Sequence, residues 1–372
     1  MMRRLLAILC AALLLATGAL AESAPALGED AAVGELPGKQ WALHDLSAAT
    51  SVKVAQLTGE ESENKTQSRF GVWGTDLGSF TVLGGKTYLF GGDTFSTEDS
   101  DDWRSNVLFI IEDDDPSDGL TITDAVTDKR GNAKELLLSL KQDNTEMTVI
   151  PTNLFAANGK LYCIYMSVQH WGAAGRWQCR YSGLAVSEDE GRKWTKLKDV
   201  KWPGESGFIQ TANCQVGDTM YIWGIPSGRF GGVSLMKAPA AHLEEMDAYS
   251  YYTGLDADGA PVWEAGESGI ANAARIIKGP VGEISAIYNE YLGNFMLSYL
   301  DEARHAIVMR ELVTPWSGVG DPVVMASAAD YPSLYGAFMH PDYVEEKGKS
   351  VYFAMSQFFP IYNIMWMRVD LP

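Results

Sequence analysis

Gly74-Thr75-Asp76-Leu77-Gly78-Ser79-Phe80, followed by Gly84-Gly85-Lys86 and then Thr87-Tyr88-Leu89-Phe90-Gly91-Gly92-Asp93-Thr94, reads as a strand, a glycine turn and a second strand. Folding back on the turn brings Asp76 and Asp93 to the same edge of the hairpin. A lone hairpin cannot bury both of its faces, so it must stack on other units of the same kind. The chain supplies them. Thr152-Asn153-Leu154-Phe155 turns at Asn158-Gly159-Lys160 into Leu161-Tyr162-Cys163-Ile164-Tyr165-Met166. Phe208 to Asn213 turns at Gly217-Asp218 into Met220 to Gly224, and Glu283 to Tyr288 turns at Leu292-Gly293-Asn294 into Phe295 to Tyr299. Gly336 to Met339 precedes a longer turn with Lys347-Gly348-Lys349 and a strand from Val351 to Ser356. The second strands are rich in aromatic and β-branched residues, as half-buried strands are.

Third strands follow several of these hairpins, at Asn106 to Ile111, Ser182 to Val186, Gly232 to Met236 and Ala306 to Met309. The expected architecture is all-β, a five-bladed β-propeller. The last unit runs out of chain after Ile364 to Val369, so its fourth strand is expected from the N-terminus, at Ser51-Val52-Lys53-Val54-Ala55, which removes two open sheet edges. The competing architecture is a β-sandwich with poorly matched repeats. Ser187-Glu188-Asp189-Glu190-Gly191-Arg192-Lys193-Trp194 follows the Ser-x-Asp-x-Gly-x-x-Trp Asp-box pattern, in which Asp and Gly shape a tight turn and Trp anchors it. That motif is structural, so Asp189 is no catalytic candidate.

The first residues read as a secretory signal peptide, 1–21: basic at Arg3-Arg4, apolar from Leu5 to Leu15, and small residues at Ala19-Leu20-Ala21 for cleavage. Residues 22–45, rich in Ala, Gly, Pro and acids, read as a flexible lead-in, and 46–372 as a single propeller domain. The expected location is secreted, periplasmic or at the cell surface, with no further apolar span long enough to cross a bilayer. The formal net charge of −19 disfavours nucleic acid as a partner; a neutral polysaccharide suits it better, and a monomer is expected. The acid runs Glu98-Asp99-Ser100-Asp101-Asp102 and Glu112-Asp113-Asp114-Asp115 read as solvated loops, with a structural calcium as the minority reading and otherwise no cofactor. Cys163 and Cys179 read either as a disulfide across two neighbouring strands or as buried thiols. No Cys/His spacing suggests a metal site.

In a propeller, the starts of first strands and the ends of second strands share one mouth of the central channel. The repeats place Asp76, Asp93, Asn153, Gln169, His170, Trp171, Glu205, Gln210, Arg229, Glu283, Asp301, Tyr335, His340 and Gln357 there. Aromatic faces stack on sugar rings, and amides and carboxylates meet hydroxyls. Glycosidic hydrolysis needs two carboxyl groups, one protonating the leaving oxygen and one acting as base or nucleophile. Asp76, Glu283 and Asp93 are the catalytic candidates; Asn153, His170, Trp171, Glu205, Gln210, Arg229 and Gln357 are the candidate substrate contacts. The competing reading is a non-catalytic propeller that binds glycan or protein. A sialidase would need three arginines at this mouth, and only Arg229 is expected there.

Gly74-Thr75-Asp76-Leu77-Gly78, Phe90-Gly91-Gly92-Asp93-Thr94-Phe95, Gly228-Arg229-Phe230-Gly231-Gly232 and Gly282 to Asn289 with Leu292-Gly293-Asn294-Phe295 together resemble a bacterial propeller family long catalogued only as a domain of unknown function. Some members of that family are endo-D-arabinanases that cut the D-arabinan of mycobacterial cell-wall polymers. The resemblance runs from about residue 65 to the end of the chain. It implies a five-bladed propeller with a carboxylate-lined groove, with Asp76 as general base or nucleophile, Asp93 beside it and Glu283 as the acid. Other five-bladed glycosidases, acting on L-arabinan or xylan, share the three-acid logic.

Overall fold

The computed structural model describes residues 24–99, 101–113 and 115–372, so the expected signal peptide lies outside the described residues. Almost all of the regular structure is antiparallel β-sheet, in four hydrogen-bonded sheets whose strands can be grouped in chain order into five units. The first comprises Gly74–Leu83, Lys86–Phe95, Val107–Ile111 and Ile122–Ala125. The second comprises Thr148–Ala157, Lys160–Trp171, Trp177–Ser187 and Thr195–Pro203. Gln210–Val216, Thr219–Ile225, Gly231–Pro239 and Ser250–Leu255 form the third, extended by Pro261–Ala265. The fourth holds Arg275–Asn289, Asn294–Asp301 and Ala306–Thr314, edged by Ser317–Val319 and Val323–Ser327.

Leu334–Glu345, Ser350–Gln357 and Asn363–Asp370 make the fifth unit, and Thr50–Gln56 completes it by pairing antiparallel with Asn363–Asp370. The sheet is therefore closed by a strand from the other end of the chain, at the position the sequence indicates. The first strand of each unit packs on the first strand of the next, and that of the fifth returns to that of the first. The third and fourth units are not separate sheets. Gly231, Val233 and Ser234 pair with Val281, Ile277 and Arg275, joining the two into one ten-stranded sheet. The long first strand of the fourth unit makes this possible, because it overshoots its own hairpin partner.

The Asp-box turn forms as expected between the third and fourth strands of the second unit. Asp189 Oδ1 accepts the Lys193 N–H at 2.8 Å, Ser187 Oγ accepts the Gly191 N–H at 2.9 Å, and Trp194 Nε1 donates to the Gly191 carbonyl at 3.0 Å. Cys163 and Cys179 do not face each other: Cys163 lies opposite Ala185 and Cys179 opposite Val168, and both are free thiols.

The segment expected to be a flexible lead-in is tied down. Gly28–Glu35 forms 3-10 turns that bury Val33 and Asp30. Asp30 accepts the Tyr221 hydroxyl at 2.7 Å, the Lys237 ammonium at 2.7 Å and Trp263 Nε1 at 2.9 Å. A carboxylate buried this deeply persists because it is paired and hydrogen-bonded, and composition alone does not reveal those partners. Asp30→Ala strands the Lys237 charge and should cost roughly 3 kcal/mol of stability. Chemical denaturation of the purified variant would measure the loss.

Candidate functional site

The register of the first hairpin determines where its two acids point. Thr75 lies opposite Thr94 and Leu77 opposite Gly91, so Asp76 faces the pair Gly92 and Asp93. This is a β-bulge, one residue against two, and it turns both carboxyls toward the same end of the sheet. Leu77 and Gly78 follow at φ +60° and +92°. A leucine in the left-handed region is strained, and such strain is held only where the surroundings fix it. Related shifts recur at the same level of the fourth unit, between Gly282 and Ile284 around Glu283, and of the fifth, between Tyr335 and Phe338.

A groove of about 630 Å³ opens at this end. Asp76, Asp93, Trp171, Trp177, Arg229, Glu302, Tyr335, Phe358 and Tyr362 are in its walls. Asp76 Oδ2 accepts the Tyr335 hydroxyl at 2.8 Å, while its Oδ1 is buried without a partner. Asp93 Oδ1 accepts Trp103 Nε1 and Thr148 Oγ1, each at 2.8 Å. Burial, the neighbouring Asp93 charge and Glu283 raise the Asp76 pKa to about 7, against the opposing hydroxyls of Tyr362 and Tyr335. Burial lifts Asp93 to about 6, held back by its Trp103 and Thr148 donors.

Glu283 is buried behind Arg229 and is absent from the groove wall. Its Oε1 accepts Arg229 Nε at 2.8 Å and its Oε2 is unpartnered. Burial raises its pKa, and Arg229 opposes that rise. Arg229 is held on several sides. Glu302 lies 3.7 Å from its Nη1, its guanidinium carbon sits 4.8 Å from the Tyr335 ring centre, and its backbone N–H donates to the Gly175 carbonyl at 3.0 Å. Asp76, Tyr335, Arg229 and Glu283 thus form one connected chain of contacts at one end of the molecule.

The other expected contacts divide. Trp171 lines the groove, 38 % exposed, edge-on to Trp177 with ring centres 5.7 Å apart. His170 is outside the groove wall and is hydrogen-bonded to Asp143 at 2.7 Å. Gln210 and Gln357 are buried supports: Gln210 donates to the Gly228 carbonyl at 2.9 Å, beside Arg229, and Gln357 to the Pro332 carbonyl at 3.1 Å, beside the groove-lining Ser333. Glu205 belongs to a different cleft with Ser234, Glu267 and Arg275, because the loop before the third unit's first strand leads away from the groove. Asn153 and His340 line a cavity at the opposite mouth: Asn153 follows the register shift after Pro151, and His340 lies within a second shift of its strand, between Met339 and Val344. Asp301 is buried against Arg304 at 2.6 Å.

The sequence reading missed Trp103, Thr148, Glu302 and Tyr362. Only Tyr362 left a signal, since it ends the aromatic run Phe358-Phe359-Pro360-Ile361-Tyr362 directly after a second strand. Among the described residues, no group of three or more His, Cys, Asp or Glu is placed to hold a metal ion. Among the same residues, no helix is long and apolar enough to cross a membrane.

A family model described as a domain of unknown function, DUF4185, matches residues 61–368. No curated protein matches the chain. Among solved structures, a candidate hydrolase from Bacteroides ovatus is similar at a TM-score of 0.57 and 11 % identity, with 89 % of this chain and 91 % of that one covered. An exo-β-1,3-galactanase from Phanerochaete chrysosporium is similar at a TM-score of 0.52 and 10 % identity, over 86 % of this chain and 64 % of that protein. At these identities the likeness is one of fold.

Two predictions follow from the bulge. A Cβ at Gly92 would sit 2.3 Å from Asp76 Oδ1 and 3.2 Å from Leu77 Cδ1, so Gly92→Ala must displace the carboxyl. Overpacking of that kind costs about 1–3 kcal/mol, so Gly92→Ala should unfold at lower denaturant concentration while the far-ultraviolet circular dichroism of the folded protein stays unchanged. The second concerns stability. The folded pKa of Asp76, about 7, exceeds its unfolded value, so the protonated carboxyl contributes stability at acid pH that is lost as pH rises through about 7. Asp76→Asn should therefore melt above the wild type at pH 8, with the gap closing toward pH 4.

Proposed function

Starting from a chain that belongs to the DUF4185 family, we propose that it is a secreted glycoside hydrolase that cuts within a furanose-rich polysaccharide, most specifically D-arabinan. We read the five sheet units as the blades of a five-bladed propeller spanning 46–372, in line with the ring of contacting first strands. The observation that carries the reading is the pair Asp76 and Asp93, two carboxyls set by one bulge into a groove walled by aromatic rings. The fold likeness to a galactanase is consistent with the same class of reaction. The polymer assignment comes from the sequence resemblance, and an endo mode fits a groove open to solvent.

The hydrogen bonds favour a division of labour that differs from the one the resemblance implies. Asp93 Oδ1 takes two donors, one of them an indole N–H that can only donate, which stabilises the anion. Asp76 Oδ1 has no partner and is free to carry a proton. Between pH about 6 and about 7 the pair holds one proton. In this reading Asp76 protonates the glycosidic oxygen as the C–O bond breaks. Asp93 takes the proton of the attacking water, or attacks the anomeric carbon itself. Tyr335 fixes the Asp76 carboxyl, and Arg229, anchored by Glu283, orients sugar hydroxyls. Glu283 becomes a positioning residue.

Reducing-end release from mycobacterial arabinogalactan tests the proposal. Wild type should release oligosaccharides, and Asp76→Asn and Asp93→Asn should each lose roughly 10²–10⁴-fold in kcat/KM. Below about pH 6 the base is protonated and above about pH 7 the acid is ionised, so kcat/KM should be bell-shaped between those limbs. Full activity in both variants would refute the assignment. Inactivity of the wild type across a glycan panel, with retained binding, would make the protein a glycan-binding module.

A further inference from the structure

The acid pair has an exposed aromatic ring on either side of it. The first strand of the first unit packs against those of the second and fifth units, so Asp76 and Asp93 sit between these two neighbours. Each neighbour sends a ring into the groove wall from the same structural level. Trp171 ends the second strand of the second unit, and Phe358 directly follows the second strand of the fifth. Asp93 lies near the corresponding end of the first unit's second strand. The hydrogen bonds of the acids show the same sidedness: Asp93 accepts the Thr148 hydroxyl of the second unit, and Asp76 accepts the Tyr335 hydroxyl of the fifth.

Both rings are open to solvent and both are held in place. Phe358 is 67 % exposed and Trp171 38 %. The Phe358 N–H donates to the Ser333 carbonyl at 3.0 Å, and its ring meets Tyr362 edge-on with centres 5.8 Å apart. Trp171 leans on Trp177 and leads into the turn Gly172-Ala173-Ala174-Gly175. The Gly172 N–H closes that turn on the Arg176 carbonyl at 2.9 Å, and the Gly175 carbonyl takes the Arg229 N–H, which fastens the turn to the third unit. Phe230, close by, is stacked against the Arg176 guanidinium at 4.0 Å and is not in the groove wall. Phe359, although also exposed, stands outside the groove wall.

We infer that Trp171 and Phe358 are stacking platforms on either side of the acid pair, so that a polysaccharide crosses the pair with sugar rings seated in both directions. The same wall holds Tyr335, Arg229 and Glu302. An apolar ligand laid across both rings would strip water from those groups without replacing their hydrogen bonds. A sugar chain presents apolar ring faces to the platforms and hydroxyls to the polar groups. The inference deepens the hydrolase reading and rests on it for the bond that is cut: platforms on both sides select internal linkages over chain ends.

Titration calorimetry of Asp76→Asn with a D-arabinofuranose disaccharide and octasaccharide tests the platforms without cleavage. The octasaccharide should bind the more tightly. Adding Trp171→Leu or Phe358→Leu, which keeps apolar bulk and removes the ring, should each weaken octasaccharide binding roughly fivefold. Phe359→Leu, next in the chain but outside the groove, should leave it unchanged. Cleavage of an octasaccharide labelled at its reducing end then reads the sidedness: with Asp76 intact, Trp171→Leu and Phe358→Leu should move the cut in opposite directions along the chain. Absent binding, equal affinity for the two sugars, an equal loss in all three variants, or cuts displaced in one direction would overturn the inference. An octasaccharide that stays uncut by the wild type, yet is bound with the expected dependence on length and on both rings, would instead refute hydrolysis and leave the platforms standing.

Discussion

The bulge at Asp76 is the constraint on which the candidate site depends. In a regular antiparallel ladder, alternate side chains point to opposite faces, and two acids near one edge of a hairpin need not converge. Setting one residue against Gly92 and Asp93 breaks the alternation and aims both carboxyls at one groove. Gly92 has no side chain because the Asp76 carboxyl takes that space, and Leu77 accepts a left-handed backbone to restore the ladder. Glycine, strain and acid are parts of one local arrangement. The recurrence of register shifts at Glu283 and Tyr335 extends it round the ring.

The electrostatics follow from this crowding. Burial raises both carboxyls, and the Asp93 charge raises Asp76 further, at a cost in folded-state stability. Glu283 has met the same burial differently. Arg229 neutralises it at 2.8 Å, so the pair behaves as a fixed strut carrying a cation to the groove wall. The contrast between an uncompensated pair and a compensated third acid separates candidate chemistry from positioning, and neither role is visible in the residue types.

The sequence revealed much of the frame. Hairpin turns such as Asn158-Gly159 and alternating aromatic strands located the units, and the shortage of chain after Val369 pointed to closure by Ser51 to Ala55. Asp76, Asp93, Arg229 and Trp171 were placed at the groove because hairpin geometry alone sends strand starts and strand ends to one mouth. What could not be read depends on register and on distant partners. His340 lies at the other mouth because its strand runs on to Glu345, and two register shifts hide how far along that strand it sits. Trp103 and Thr148 reach Asp93 from segments outside the hairpin, and Asp30 draws its partners from strands 191 to 233 residues away. Hydrogen bonds between side chains so far apart leave no periodic trace in the chain.

The two mouths of the ring divide the polar residues by what each strand end can hold. At the groove end, bulges free side chains from the ladder, and charged groups can be set against tyrosine and tryptophan donors. At the other end most ladders run regularly into short hairpins, as at Tyr288 opposite Phe295 and Phe155 opposite Tyr162, while the fifth unit shifts register between Met339 and Val344. That wall buries Ser79, Thr81, Asn153 and Ser285 among Phe80, Phe155 and Phe338, where an unpaired charge would carry a desolvation cost of several kcal/mol, and leaves Glu290 and Lys347 exposed at the hairpins. The groove end therefore sets buried acids side by side, because the bulge there brings Asp76 and Asp93 to one wall.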